Sequence, residues 1–470
     1  MTLPVHRPLD RQAAATVAGL GGIAAYFAVV MYGMSSWDYQ HWMLLWLGPV
    51  LFGSGVVIIT AVTRDDAQPL TRLFVVALAV KLAASLLRYY VSFSLYGSGD
   101  ALQYDLLGAD IANAFHRGDL TVTDVVSLGH GTQFVTDFTG LVYTVIGPSH
   151  LGGYLVYSWL GFWGLFLFHR AALVGLPEGN QRRYALLVCF LPSLVFWPSS
   201  IGKEALMMLS LGVCALGTAR LLERRRGAWP TLIVGLTLSY LVRPHVGVVV
   251  LAALVVAVAF RRRAGRDPVF GPVGRVVTVG LLVVSMAFVL SRAVDRLLPY
   301  QSSSTGVAAV GEVLDRAESG TDEGGSEIDR PSPGNPLEYP RAAFTVLFRP
   351  TILEAKGTAT TIAALETTFL VAMFVAGWRR LRTAGTLIFR RPYVLFCVVY
   401  TAIFAFAWSA FANLGALARQ RVQVWPLLLI LLAVPVSTPA TRPVRPVRRA
   451  TSRPATSRGL TGPTRATAER

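Results

Sequence analysis

The chain has 470 residues, of which 53% are hydrophobic and 15% charged, with a formal net charge of +17. A soluble protein carries about 25% charged residues, so the mean hydropathy of +0.53 excludes an ordinary soluble domain. The basic excess sits in short loops and in a C-terminal tail, where the positive-inside rule places it, and this argues against nucleic-acid binding.

Arg accounts for nearly all the basic residues, the only lysines being Lys81, Lys203 and Lys356. With the Ala/Val/Gly/Leu bias, this composition fits a GC-rich bacterial genome. Cys189, Cys214 and Cys397 all lie in apolar runs, an arrangement that provides neither a disulfide framework nor a zinc site.

Spanning a bilayer takes about 20 apolar residues, and roughly a dozen stretches reach or approach that length. Arg7 and Arg11 place the N-terminus in the cytoplasm. Spans are expected at 14–34, 41–62 and 73–96, followed by a long outer loop, 97–149, with a semi-apolar piece at 134–147. Within that loop the spacing of Leu102, Leu106, Ile111 and Phe115 predicts an interfacial amphipathic helix over 100–116. Further spans follow at 150–174, 184–199, 203–222, 229–242, 246–260, 275–293, 358–377, 392–411 and 422–436. A second outer segment covers 294–356. Its stretch 294–341 holds nine Asp/Glu against four Arg, a composition that predicts a mobile acidic loop. The last stretch, 438–470, carries eight Arg, many Pro and Thr and one Glu, and reads as a disordered cytoplasmic tail drawn to anionic lipid. The expected fold is therefore an all-α polytopic membrane bundle, 1–437, of about twelve spans with both termini cytoplasmic, in a bacterial plasma membrane.

On this topology the polar clusters all fall at outer helix ends. Asp100 and Asp105 lie on the interfacial helix. Asp100 reads as an N-cap or as a general base at the membrane surface. Lys203 and Glu204 open the span 203–222. Lys203 is either a lysine snorkelling to the interface or an anion clamp at a helix N-terminus. Arg243-Pro-His245 forms a hairpin tip, read either as an interfacial anchor or as a phosphate-binding pair. Arg349 with Glu354, and Arg419 with Arg421, complete the set. Deeper in the bundle, Glu366 is expected to pair with Lys81 or Arg88. No Walker A, GxGxxG, HExxH or CxxC motif is present, and no one of the seven histidines stands out as catalytic.

The segments Gly99-Asp-Ala-Leu-Gln-Tyr-Asp, Pro192-Ser-Leu-Val-Phe-Trp-Pro-Ser-Ser-Ile-Gly-Lys-Glu-Ala, Phe348-Arg-Pro-Thr-Ile-Leu-Glu-Ala and Ala418-Arg-Gln-Arg-Val-Gln resemble bacterial polysaccharide-assembly membrane proteins. The resemblance is to the O-antigen-polymerase (Wzy) type and, more loosely, to GT-C glycosyltransferases. It implies glycosyl transfer from a polyprenyl-(pyro)phosphate-linked donor, with Asp100 or Asp105 as base. Lys203, Arg243, His245, Arg349, Arg419 and Arg421 would hold phosphate, and Glu204 and Glu354 would support them. GT-C enzymes carry their acidic motif on the first outer loop, whereas here it follows the third span. No cofactor is implied, and a divalent metal is left open. The partners expected are a polyprenyl-linked glycan, membrane lipid and other envelope-biosynthesis proteins. A flippase for the same lipids, or a non-catalytic subunit of an envelope complex, is the alternative.

Overall fold

The computed structural model describes residues 11–95, 99–119, 121, 129–261, 272–297, 337–355, 357–409, 411 and 413–436. The basic tail at 438–470 and most of the acidic segment 294–341 lie outside the described residues.

The described segments are helical almost throughout. In chain order they are α1 (Arg11–Ser36), α2 (Tyr39–Thr63), α3 (Thr71–Leu95), α4 (Gly99–His116), α5 (Thr132–Ile146) and α6 (His150–Gly175). Then come α7 (Gln181–Phe190), α8 (Pro192–Phe196), α9 (Lys203–Leu222), α10 (Ala228–Val242), α11 (Pro244–Ala259) and α12 (Pro272–Leu297). Further along the chain follow α13 (Tyr339–Phe348), α14 (Thr358–Ala376), α15 (Trp378–Leu387), α16 (Pro392–Trp408), α17 (Leu414–Gln420), α18 (Trp425–Leu428) and α19 (Ile430–Ala433).

Among the described residues five helices are long and apolar enough to cross a bilayer: Ala14–Ser36, Tyr39–Thr63, Thr71–Ser94, His150–Gly175 and Lys203–Leu222. Counting each bent pair as one span raises the number to seven. Twelve full-length spans are thus not found, because several expected ones are short or broken. The segments Ala228–Val242, Pro244–Ala259, Val276–Ala287 and Pro392–Trp408 are apolar but shorter. The expected span 184–199 is interrupted at Pro192, which has no N–H to continue a helix and holds Leu191 extended at ψ 124°. The expected span 422–436 is bent by 57° between Leu414–Gln423 and Trp425–Ala433, with Pro426 just past the corner. A 69° bend also separates α14 from α15.

The break before α8 explains the deep charges. Lys81 donates to the carbonyls of Leu194 and Val195, 2.9 Å from each. Glu366 accepts from the N–H (3.0 Å) and the hydroxyl (2.8 Å) of Ser193. A carboxylate therefore caps the start of this short helix and an ammonium its end, the arrangement its dipole favours. The expected Glu366–Lys81 ion pair is not formed. The guanidinium of Arg88 instead lies 4.6 Å and 4.8 Å from the ring centres of Phe196 and Trp197, in cation–π geometry.

The centre of the bundle is α9, flanked by α6 on one side and α10 on the other. Glycines set both distances. A Cβ on Gly164 would stand 2.3 Å from the Met208 carbonyl oxygen, and one on Gly212 2.4 Å from that of Gly164. A Cβ on Gly235 would stand 2.7 Å from the Cys214 backbone nitrogen. Small residues that let backbones approach are the usual means of tight helix packing in membranes. At the edge, α1 leaves its apolar side chains exposed.

Candidate functional site

Four of the five polar clusters expected from the sequence supply the site, at the N-terminal end of α9. Gly202 makes the approach there with φ 153° and ψ 179°, a region open essentially only to glycine, so that Lys203 and Glu204 fall in the first helical turn. Arg243 is the extended residue between α10 and α11, with Pro244 opening α11. Arg419 sits in the last turn of α17, whose start is capped by the Asn413 side chain accepting from Gly415 and Ala416 N–H. Asp100 lies in the first turn of α4.

Glu204 is the centre of this group and is only 2% exposed. Its Oε1 lies 2.9 Å from Arg243 Nη2 and 2.8 Å from Arg419 Nε, and its Oε2 lies 2.9 Å from Arg419 Nη2. The carboxylate thus holds Arg419 through two parallel bonds and Arg243 through one. Arg243 Nη1 donates to Gln420 Oε1 (2.8 Å), which Gln423 also meets. At the outer edge Arg419 Nη1 reaches Asp100 Oδ2 at 3.3 Å, and the Asp100 side chain is 63% exposed. Lys203 donates to Thr132 Oγ1 at 3.0 Å. Three cations (Lys203, Arg243, Arg419) against two carboxylates (Glu204, Asp100) leave one positive charge. Lys203 is the cation without a carboxylate contact among the described residues. Such an arrangement suits a single anionic group approaching from the Asp100 side.

The other expected residues take different places. His245 faces the ring of Trp408 at 5.6 Å. Arg349 Nε donates to Glu354 Oε1 at 2.7 Å, and Glu354 also accepts from Thr351 N–H and Oγ–H. Burial alone would raise the Glu354 carboxyl, but the bonds from Arg349 and Thr351 outweigh it and hold it below its usual range. Arg421 is not a phosphate ligand in this arrangement. It is 4% exposed, and its Nη1 donates to the carbonyls of Leu347 and Arg349. The reason is local: the chain tightens into a 3₁₀ turn at Arg421–Gln423, so the two arginines serve different neighbours. Arg421 thereby ties the Arg349–Glu354 turn to the helix that carries Arg419.

Asp105 does not share a site with Asp100. Five residues apart on α4, they differ by about 140° around the helix. Asp105 faces inward, accepting from the Tyr143 hydroxyl, and its Oδ2 lies 3.0 Å from His150 Nδ1. Asp100 is left as the one acidic candidate at the cation cluster.

Sequence reasoning missed Gln420, Gln423 and Thr132, whose roles depend wholly on packing. It also missed His150. This imidazole is 6% exposed, with Asp105 at Nδ1 and no partner at Nε2 among the described residues. A buried polar atom left so costs about 1–3 kcal/mol. No group of three or more His, Cys, Asp or Glu able to hold a metal occurs among the described residues.

No protein-family model matches this chain, and no curated protein or solved structure matches it either.

Proposed function

We propose that this chain is an integral membrane glycosyltransferase or polysaccharide polymerase. In this reading it acts at the extracytoplasmic face of a bacterial plasma membrane, on a polyprenyl-(pyro)phosphate-linked sugar donor. The observation that carries the reading is the meeting of Asp100, Lys203, Glu204, Arg243 and Arg419 from four separate parts of the chain. Buried charge of this kind in an apolar bundle is costly and marks a place where charge is handled. The short helix pairs would complete a twelve-span topology with both termini cytoplasmic, which puts this cluster outside.

The division of labour follows from the geometry. Glu204 holds Arg243 and Arg419 in place, and the net positive charge at Lys203 faces the leaving phosphate. Fixed cations of this sort stabilise charge that develops in the transition state without reorganising. The apolar helices receive the polyprenyl tail. The midplane charges that a transporter would use are engaged here in capping α8, which favours transfer over flipping.

The test is the lipid-linked glycan pool in cells carrying Asp100→Asn or Arg419→Ala, with membrane insertion checked first. Precursor accumulating on the outer leaflet, with polymer lost, is the expected result. Precursor trapped on the inner leaflet would instead point to a flippase. An unchanged glycan profile in both variants would leave these residues a structural role and end the enzymatic reading.

A further inference from the structure

His150 stands apart from the other described histidines: a carboxylate holds one ring nitrogen, while the other is buried with no partner among the described residues. Its protonation follows from the neighbours. Asp105 receives the Tyr143 hydroxyl on Oδ1 and faces His150 Nδ1 with Oδ2. With Asp105 ionised and the imidazole neutral, the ring proton lies on Nδ1 toward the carboxylate and the lone pair on Nε2. An imidazole oriented in this way by a carboxylate is the usual arrangement of a proton acceptor.

The surroundings are aromatic. Phe93, Tyr154 and Tyr89 have ring centres 4.7, 5.9 and 6.0 Å from that of His150. Phe93 and Tyr89 pack on each other at 4.6 Å, and both are half-buried. The groups facing His150 are Asp105, Tyr89 and Tyr154, with Tyr143 behind Asp105. Arg88 lies near Tyr154, and Asp38 lies beyond Tyr89. Apolar and aromatic walls with one convergent polar atom are typical of a small-molecule site.

We propose that His150 is the general base that takes the proton from the acceptor hydroxyl, with Asp105 as its positioning residue. In the same proposal the rings of Tyr89, Phe93 and Tyr154 receive a sugar ring of the acceptor. The proposal rests on the glycosyl-transfer reading above. Asp105 lies about 7.5 Å along α4 from Asp100 and about 140° around it, so in this proposal the donor sugar spans from the cation cluster to the other side of that helical turn. In the step, the hydroxyl O–H bond breaks and its proton goes to Nε2. The oxygen bonds to the anomeric carbon, the bond from that carbon to the phosphate oxygen breaks, and the electron pair leaves on the phosphate. Asp100 then serves at the phosphate end of the site and is not the base.

Two measurements on the full-length protein in lipid nanodiscs test this. The first is the pH dependence of transfer from a polyprenyl-phosphate-linked sugar, purified from the producing cells, to methyl glycosides. His150→Gln is expected to slow transfer by about 10²–10⁴-fold and to abolish the low-pH limb of the profile. Asp105→Asn should shift that limb, and Asp100→Asn should leave its position unchanged. A His150→Gln variant with the wild-type rate and profile would overturn the proposal. The second measurement is the ¹⁵N imidazole resonance of His150 in the wild-type protein, which requires no turnover. An unprotonated Nε2 whose signal moves on adding the methyl glycosides is expected, and a protonated or unresponsive Nε2 overturns the proposal. If the wild type transfers no sugar but the resonance responds, the enzymatic reading fails while the saccharide site stands.

Discussion

Glu204→Ala is expected to be the most damaging single substitution in the chain. It leaves the guanidinium groups of Arg243 and Arg419, both now bonded to one buried carboxylate, without that partner. Breaking a buried pair by removing one partner costs about 3–5 kcal/mol, and here two cations are orphaned. Among the described residues, Arg419 then keeps its 3.3 Å contact with Asp100, and Arg243 its bond to Gln420. The loss is read by SDS-induced unfolding in mixed micelles. Glu204→Gln, which keeps the shape and one acceptor oxygen, should recover part of it. A change below about 1 kcal/mol, the range of exposed ion pairs, would show that the cluster is solvated and that Glu204 does not organise it.

Gly164→Leu is expected to disable the same site from a distance. Even the Cβ would enter the backbone of α9, 2.3 Å from the Met208 carbonyl oxygen and 2.4 Å from its carbon. Backbone cannot rotate away as a side chain does, so α6 and α9 must part along the contact that also contains Gly212. Overpacking of this kind costs about 1–3 kcal/mol. Because α9 begins with Lys203 and Glu204, the displacement also pulls Glu204 off its two arginines. Unfolding and the lipid-linked glycan pool should therefore both change. Gly53→Ala is the control. No atom lies within 4 Å of the Cβ it adds, so it should be neutral or stabilise α2 by up to about 1 kcal/mol through helix propensity. Equal effects from the two substitutions would mean that α6 and α9 are not in backbone contact.

These two substitutions also mark where the sequence stops being informative. Local hydropathy is a sum over some twenty neighbouring residues, so it reports apolar helices faithfully. The helix expected at 203–222 is observed as Lys203–Leu222, and the helix expected at 100–116 as Gly99–His116. The same local sum hides a break. Pro192 lies inside a run whose mean hydropathy stays high, and so 184–199 reads as a continuous span. The polar residues expected at helix ends are at helix ends, because charge in an apolar chain is confined there by desolvation.

Which charge meets which was decided only by the tertiary structure. Asp100 and Arg419 are separated by 319 positions, and Glu204 and Arg419 by 215; no periodicity relates them. Arg419 and Arg421 look interchangeable in sequence, yet a tight turn sends one to Glu204 and Asp100 and the other to backbone carbonyls. Asp100 and Asp105 look like a pair, yet helical rotation points one at the cations and the other at His150. Lys81 and Glu366 look like partners in the sequence, yet they cap opposite ends of one five-residue helix. The sequence determined that this chain is a helical membrane protein with most of its charges toward helix ends, because transfer out of water acts on each segment separately. The packing of glycine-lined helices decided the site, because ion pairing depends on distances of a few ångströms that no local property of the chain encodes.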